Sequence, residues 1–139
     1  MSKIIIYTQK NGNMGVCIPN PKLDINFVKE KDCPNGIIVD QSIVENLDKN
    51  FFEGYEIVNN EPVINVSKAK IIWKEKIRSA RKLALEKLDI EFIRAQESSS
   101  DVTDIINNKK ILRDLPADVD NSTTVDEIKN VWHSNLGDK

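Results

Sequence analysis

Residues 67–97 read SKAKIIWKEKIRSARKLALEKLDIEFIRAQE, and this stretch decides the fold. No glycine or proline interrupts the chain from Ser67 through Leu115. Ala69, Trp73, Ile77, Ala80, Ala84 and Leu88 recur at spacings of 4, 4, 3, 4 and 4, which places them along one side of an α-helix. Ser67 is suited to cap that helix, because its hydroxyl accepts an otherwise unpaired backbone N–H. Phe92 and Ala95 carry the stripe on to Glu97. At 1.5 Å per residue the helix is about 46 Å long. The residues before it, 1–66, make a head only ~25 Å across. The helix outreaches its head, so its apolar stripe needs either a folded-back helix or a second chain.

Downstream, Ser98-Ser99-Ser100 breaks the helix, and Ser100 or Asp101 can cap the next one. Val102, Ile105, Ile106, Lys109 and Leu112 continue an i, i+3, i+4 pattern, and Pro116 is expected to stop it. The spacing predicts a helix over 101–114. The short link favours an antiparallel hairpin, with 101–114 folded back on 83–97. Thr124-Val125-Asp126-Glu127 has the form of a capping box and opens a last short helix, 125–133, carrying Ile128 and Trp132.

Upstream, residues 3–8 and 14–18 read as two strands of a hairpin around Asn11-Gly12, which tolerate positive φ. Pro19 and Pro21 end the second strand. Residues 24–31 read as a short helix capped by Asp24, Ile37-Ile38-Val39 as a strand, and 41–49 as a helical turn. Residues 55–58 and 62–66 form a second hairpin around Asn59-Asn60-Glu61. The expected core is Ile4, Ile6, Val16, Ile18, Phe27, Ile38, Phe52, Tyr55, Ile57 and Val63. The fold class is therefore α+β: a small module over 1–66 containing a β-hairpin, then a long helix and a helical hairpin over 67–139.

The chain has 139 residues, 40% hydrophobic and 30% charged, which suits a folded domain rather than a disordered chain. It has no apolar run long enough for a transmembrane helix, and its start, MSKIIIY, lacks the features of a signal peptide. A cytoplasmic location is the expectation. Cys17 and Cys33 stand without a second pair, so reduced, partly buried thiols are expected rather than a disulfide or a zinc site.

The net charge is −2 but unevenly spread. Residues 1–66 sum to −3, residues 67–97 to +4 and residues 98–139 to −3. Lys70, Lys74, Arg78 and Arg81 fall on one side of the long helix. Such a stripe can contact phosphates. With an acidic pI of about 5.5, an acidic protein segment is the expected partner and nucleic acid is disfavoured. The plainer reading is a solvated face beside an apolar seam.

The catalytic signals are weak. Ser98, Ser99 and Ser100 lack a glycine-rich elbow, and the only histidine is His133. Asp89, Glu91 and Glu97 beside Arg94 read as helix-surface ion pairs. No phosphate loop, dinucleotide fingerprint or metal-ligand spacing occurs in the sequence. No catalytic residue, cofactor or metal ligand is predicted, and the expectation is a protein that is not an enzyme.

Four segments of the C-terminal half stand in a recognisable order: AKIIWKEKIRSAR (69–81), LDIEFIRAQE (88–97), KKILRDLP (109–116) and TTVDEIKNVW (123–132). The arrangement resembles small tailed-bacteriophage proteins encoded among tail and tail-fibre genes. R-x-x-R, L-D, L-R-D-L-P and a late Trp also resemble the C-terminal region of tail and tail-fibre assembly chaperones. The likeness covers roughly residues 66–134. It departs at Asp89-Ile90, where the chaperones usually have Asp-Trp, at Trp132-His133, where they often have Trp-Pro, and in the N-terminal module.

The resemblance implies a non-enzymatic role in tail or tail-fibre assembly, with a phage tail or fibre protein as partner. A structural virion component, such as a fibre, collar or adaptor, and a phage-encoded inhibitor or sponge of a host factor are the alternatives. No catalytic residue carries over from it. Together with the length of the helix, it predicts a homo-oligomer with Ala69, Trp73, Ile77, Ala80, Ala84, Leu88 and Trp132 at the oligomer or partner interface.

Overall fold

The structure, a computed structural model, describes residues 2–139. The chain is mixed α+β and divides into two compact units, Met1–Lys68 and Ala69–Lys139.

The first unit contains β1 (Lys3–Thr8), β2 (Met14–Cys17), α1 (Ile25–Asp32), β3 (Ile37–Asp40), α2 (Gln41–Glu45), a 3₁₀ turn (Lys49–Gly54), β4 (Tyr55–Val58) and β5 (Glu61–Ile64). β1 is the central strand of an antiparallel sheet ordered β2-β1-β3, and β4 and β5 form a separate two-stranded ribbon. The first hairpin loop spans residues 9–13, with Gly12 at φ 86° and its N–H donating to the Gln9 carbonyl. In the second hairpin Asn59 and Asn60 both have positive φ, 51° and 66°, as a two-residue turn matched to strand twist requires.

A half-buried strand alternates apolar and polar residues, but β1 presents Ile4, Ile5 and Ile6 in succession, and none is more than 1% exposed. Both of its faces are covered, so neither side needs polar residues. Ile5 packs with Val28 of α1 and with Cys33, whereas Ile6 packs with Met14 and Tyr55. Gly15 faces Tyr7 across the β1–β2 ladder, and a Cβ there would lie 2.5 Å from the Tyr7 ring.

Of the expected core, Ile4, Ile6 and Tyr55 are buried and Val16, Ile38 and Ile57 half-buried. Ile18, Phe27, Phe52 and Val63 are instead exposed. Ile18 lies beyond the end of β2, and α1 turns Val28 inward rather than Phe27. The 3₁₀ turn buries Phe51 and leaves its neighbour Phe52 outside. Val63 lies on the two-stranded ribbon, which has no third strand to cover it.

Lys68 closes a polar network within this unit. Its Nζ donates to Asn13 Oδ1 at 2.5 Å and to Glu56 Oε2 at 2.9 Å, while Asn65 Nδ2 donates to Glu56 Oε1 at 2.9 Å. The side-chain oxygen of Asn65 accepts the Lys68 backbone N–H at 3.2 Å. Asn65 is therefore the residue that caps the long helix, and Ser67 lies inside its first turn. An amide oxygen serves the capping role as well as a hydroxyl does.

That helix, α3, runs Val66–Glu97. It ends in a Schellman motif: the Ser100 N–H donates to the Ala95 carbonyl and the Ser99 N–H to the Gln96 carbonyl. Ser99 sits in the left-handed region at φ 55°, where glycine is usual. α4 runs Thr103–Asp120, and Asp101 Oδ1 accepts the Thr103 N–H at 3.0 Å just ahead of it. α5 spans Val125–Asn130, shorter than the expected 125–133, because the chain turns extended at Val131 before a 3₁₀ turn at Ser134–Leu136. At its start Thr124 Oγ1 accepts the Glu127 N–H at 3.2 Å, and Glu127 Oε2 reaches back to the Thr123 N–H at 2.6 Å.

The expected helix 101–114 is corrected at both ends, most of all at the second. Proline normally stops a helix, yet Pro116 is buried inside α4. The group that permits this lies on α3.

Two predictions follow from these local arrangements. Ser99→Gly removes the left-handed strain and should stabilise the chain by about 1 kcal/mol in urea unfolding. The hydrogen bonds from Lys68 and then Asn65 hold the Glu56 carboxyl below its ordinary value of 4.5. The stability it contributes is present above that value and lost as pH falls through the lower folded-state value. Glu56→Gln should therefore flatten the fall in melting temperature below pH 4.5, measured by circular dichroism against the unsubstituted protein.

Candidate functional site

The residues singled out by pattern converge on the helical unit, and the helices of that unit explain why. α3 and α4 run antiparallel: Lys70 and Lys74 of α3 meet Asp120, Arg81 meets Leu112 and Arg113, and Asp89 meets Lys109. The contacts descend one helix as they climb the other.

Trp73 is fully buried, and its Nε1–H donates to the Val131 carbonyl at 2.9 Å. The Trp132 ring packs against it with centroids 5.7 Å apart and planes tilted by 57°. Lys76 Nζ stands 4.7 Å from the centre of Trp73 and 5.7 Å from that of Trp132, so one ammonium faces both electron-rich rings. Trp132 Nε1 donates to the Gly137 carbonyl at 2.7 Å and holds the chain after α5. The sequence marks both tryptophans separately; nothing local in it pairs them or brings Lys76 over them.

Ala69, Trp73, Ile77 and Leu88 are buried within the single chain, and Ala80, Ala84 and Trp132 are half-buried. Much of the seam expected to meet another copy is thus already occupied, and the requirement for cover posed by the helix length is met by folding back.

The basic stripe has intramolecular partners too. Lys70 Nζ donates to the Asp120 carbonyl at 3.2 Å, and Lys74 pairs with the Asp120 carboxylate. Two ammonium groups therefore sit at the C-terminal end of α4, where the helix dipole is negative. Arg78 pairs with Glu75 on its own helix at 2.5 Å.

Arg81 answers the question posed by Pro116. A proline within a helix leaves the carbonyl four residues earlier without its N–H donor, which here is Leu112. Arg81 Nη1 donates to Leu112 O at 3.5 Å and to Arg113 O at 3.1 Å. The guanidinium takes the place of the missing backbone donor, and α4 continues to bury Leu115, Pro116 and Val119. The signal available in sequence was the apolar spacing Leu112, Leu115, Val119, which continues through the proline.

The hairpin's far end is held by Lys109, which pairs with Asp89 at 2.6 Å and lies 5.2 Å from the centre of the Phe92 ring. Ser98 Oγ bonds the Arg94 carbonyl at 3.0 Å and lies 3.0 Å from Ser100 Oγ, so these serines terminate a helix.

On α3, Leu83, Ile90 and Ile93 are 72%, 51% and 55% exposed. Leu83 and Ile90 are seven residues apart, nearly two full turns, so they share one side. In the first unit an open groove of about 470 Å³ is bordered by Ile4, Ile18, Pro19, Pro21, Leu23 and Ile25. Among the described residues no cluster of His, Cys, Asp or Glu could hold a metal, and no helix is long and apolar enough to cross a membrane. No protein-family model, curated protein or solved structure matches the chain.

The Arg81 contact makes a coupled prediction. Arg81→Met should destabilise the chain by about 1–2 kcal/mol by leaving helix carbonyls without donors. In a Pro116→Ala background the restored N–H should cut that cost by about 1 kcal/mol. Equal costs in the two backgrounds, measured by urea unfolding, would show that the guanidinium does not substitute for the backbone donor.

Proposed function

We propose that this protein is a non-enzymatic binding protein of a tailed bacteriophage, acting in tail or tail-fibre assembly. Its binding surface is the outward side of α3 around Leu83, Ile90 and Ile93. The observation that carries this reading is the exposure of those three large aliphatic side chains on a helix whose main apolar stripe is already packed. Apolar residues aligned on one side of a helix suit contact with another apolar protein surface. The order of motifs over 69–132, which resembles the tail and tail-fibre proteins, supplies the biological setting.

The charged groups of α3 support a binding role over chemistry. Lys70 and Lys74 are committed to the end of α4, Arg81 to its middle and Arg78 to Glu75. They build the platform rather than the contact. The partner is a tail or fibre protein, or a second copy of the chain.

Light scattering on the purified protein, alone and mixed with the tail and fibre proteins of the same phage, tests the reading. The double variant Leu83→Asp/Ile90→Asp should abolish the oligomer or complex with little change in melting temperature, since both side chains are exposed. Unchanged association would remove this side of α3 from the reading. Deleting the gene should give particles lacking tails or fibres; normal particles would overturn the assembly role. Fixed copy number in purified particles would instead mark a structural component.

A further inference from the structure

We propose that Cys17 and Cys33 form a reversible disulfide that ties α1 to β2, closed by exchange with a low-molecular-weight disulfide such as oxidised glutathione. The fold sets the pair up from two directions. Cys17 is the last residue of β2, opposite Ile5 in the β1–β2 ladder. Cys33 is the C-cap of α1, its N–H donating to the Lys29 carbonyl at 2.9 Å. Cys33 and Ile5 belong to one buried cluster, and Cys17 packs against that cluster.

Gly36 lets the turn after Cys33 press close. A Cβ at that position would lie 2.5 Å from Ile5 Cγ2 and 3.2 Å from Cys33 Cβ. Both cysteines pack in the cluster around Ile5, near enough for each to act on the other. Closure to the covalent distance of about 2.05 Å is then a matter of side-chain torsion on two fixed backbone positions.

The pair is also reachable. Cys17 is half-buried, and Cys33 borders a surface cleft of about 280 Å³ with Tyr7, Asp32 and Asn35. Burial, then the neighbouring Cys17 and Asp32, push the Cys33 thiol up. Cys17 is the more exposed of the two, so it meets a dissolved disulfide first, attacking as its thiolate.

The Cys17 thiolate attacks one sulfur of glutathione disulfide. One glutathione thiolate leaves, and a mixed disulfide forms on Cys17. Cys33 then loses its proton and attacks the Cys17 sulfur, expelling the second glutathione. Two protein thiols are oxidised to one disulfide while one glutathione disulfide is reduced to two thiols, with the protons taken up by the leaving thiolates. Reduced glutathione reverses both steps.

The product encloses residues 18–32, which include α1 and the segment of Ile18, Pro19, Pro21 and Leu23 bordering the apolar groove. Closing that loop removes freedom from the unfolded chain.

The test is oxidation of the unsubstituted full chain in glutathione buffers of graded redox potential, quenched by alkylation and read by intact mass and peptide mapping. The expected product is a monomer lighter by two hydrogens, with no alkylated cysteine, a peptide link between Cys17 and Cys33, and a melting temperature higher by several degrees. Dithiothreitol should restore both thiols. Cys33→Ser should stop at a glutathione adduct on Cys17. Two alkylated thiols at the oxidising extreme, two glutathione adducts, or a link between chains would each overturn the proposal.

Discussion

The burial of one indole organises the helical unit. Trp73 is a fully buried side chain, and its ring nitrogen cannot be left without an acceptor in an apolar interior. The Val131 carbonyl meets that need, which draws the chain after α5 onto α3. Trp132 follows next in sequence and so lands against the same ring. Hydrophobic burial sets where α5 must go, and a single polar atom sets how it docks.

A second constraint acts through the backbone. α4 carries its apolar spacing across a proline, and its continuation depends on a donor from another helix. Arg81 provides a long, planar, permanently charged group that can reach two successive carbonyls. About two turns further along, Lys74 and Lys70 meet the carboxylate and carbonyl of Asp120. Lys74 with Asp120 joins a base of α3 to an acid of α4, and Lys109 with Asp89 joins the same helices with the charges reversed.

What was legible in the sequence follows the range of the signals. α3 was readable almost to its ends because its evidence is local: no helix breaker, a steady stripe and a serine run at its close. The same holds for Asp24 at the start of α1 and Thr124 at the start of α5, whose side chains cap helices that begin one residue later. The end of α4 was not readable, since the group that tolerates Pro116 lies 35 residues earlier on another helix. Phe51 and Phe52 are chemically equivalent neighbours, and only the 3₁₀ turn distinguishes them. In the candidate site, the individual tryptophans and basic residues were visible, but their cross-helix partners were not. Burial of Trp73 and Ile77 within the chain also shifts attention from the inward stripe to Leu83, Ile90 and Ile93.

Three consecutive isoleucines in β1 have a consequence for strand pairing. A slip by one residue usually carries a core residue to the solvent and a polar one inward. Here it exchanges one isoleucine for another at the middle positions, so hydrophobicity scarcely distinguishes the registers. Steric fit does. Tyr7 needs the missing Cβ of Gly15 opposite it. A shifted strand would set the tyrosine ring against Val16 or Met14, both of which carry a side chain where the native ladder leaves a gap. The alignment of the β1–β2 pair is encoded by one absent methyl group more than by the aliphatic side chains that fill its core.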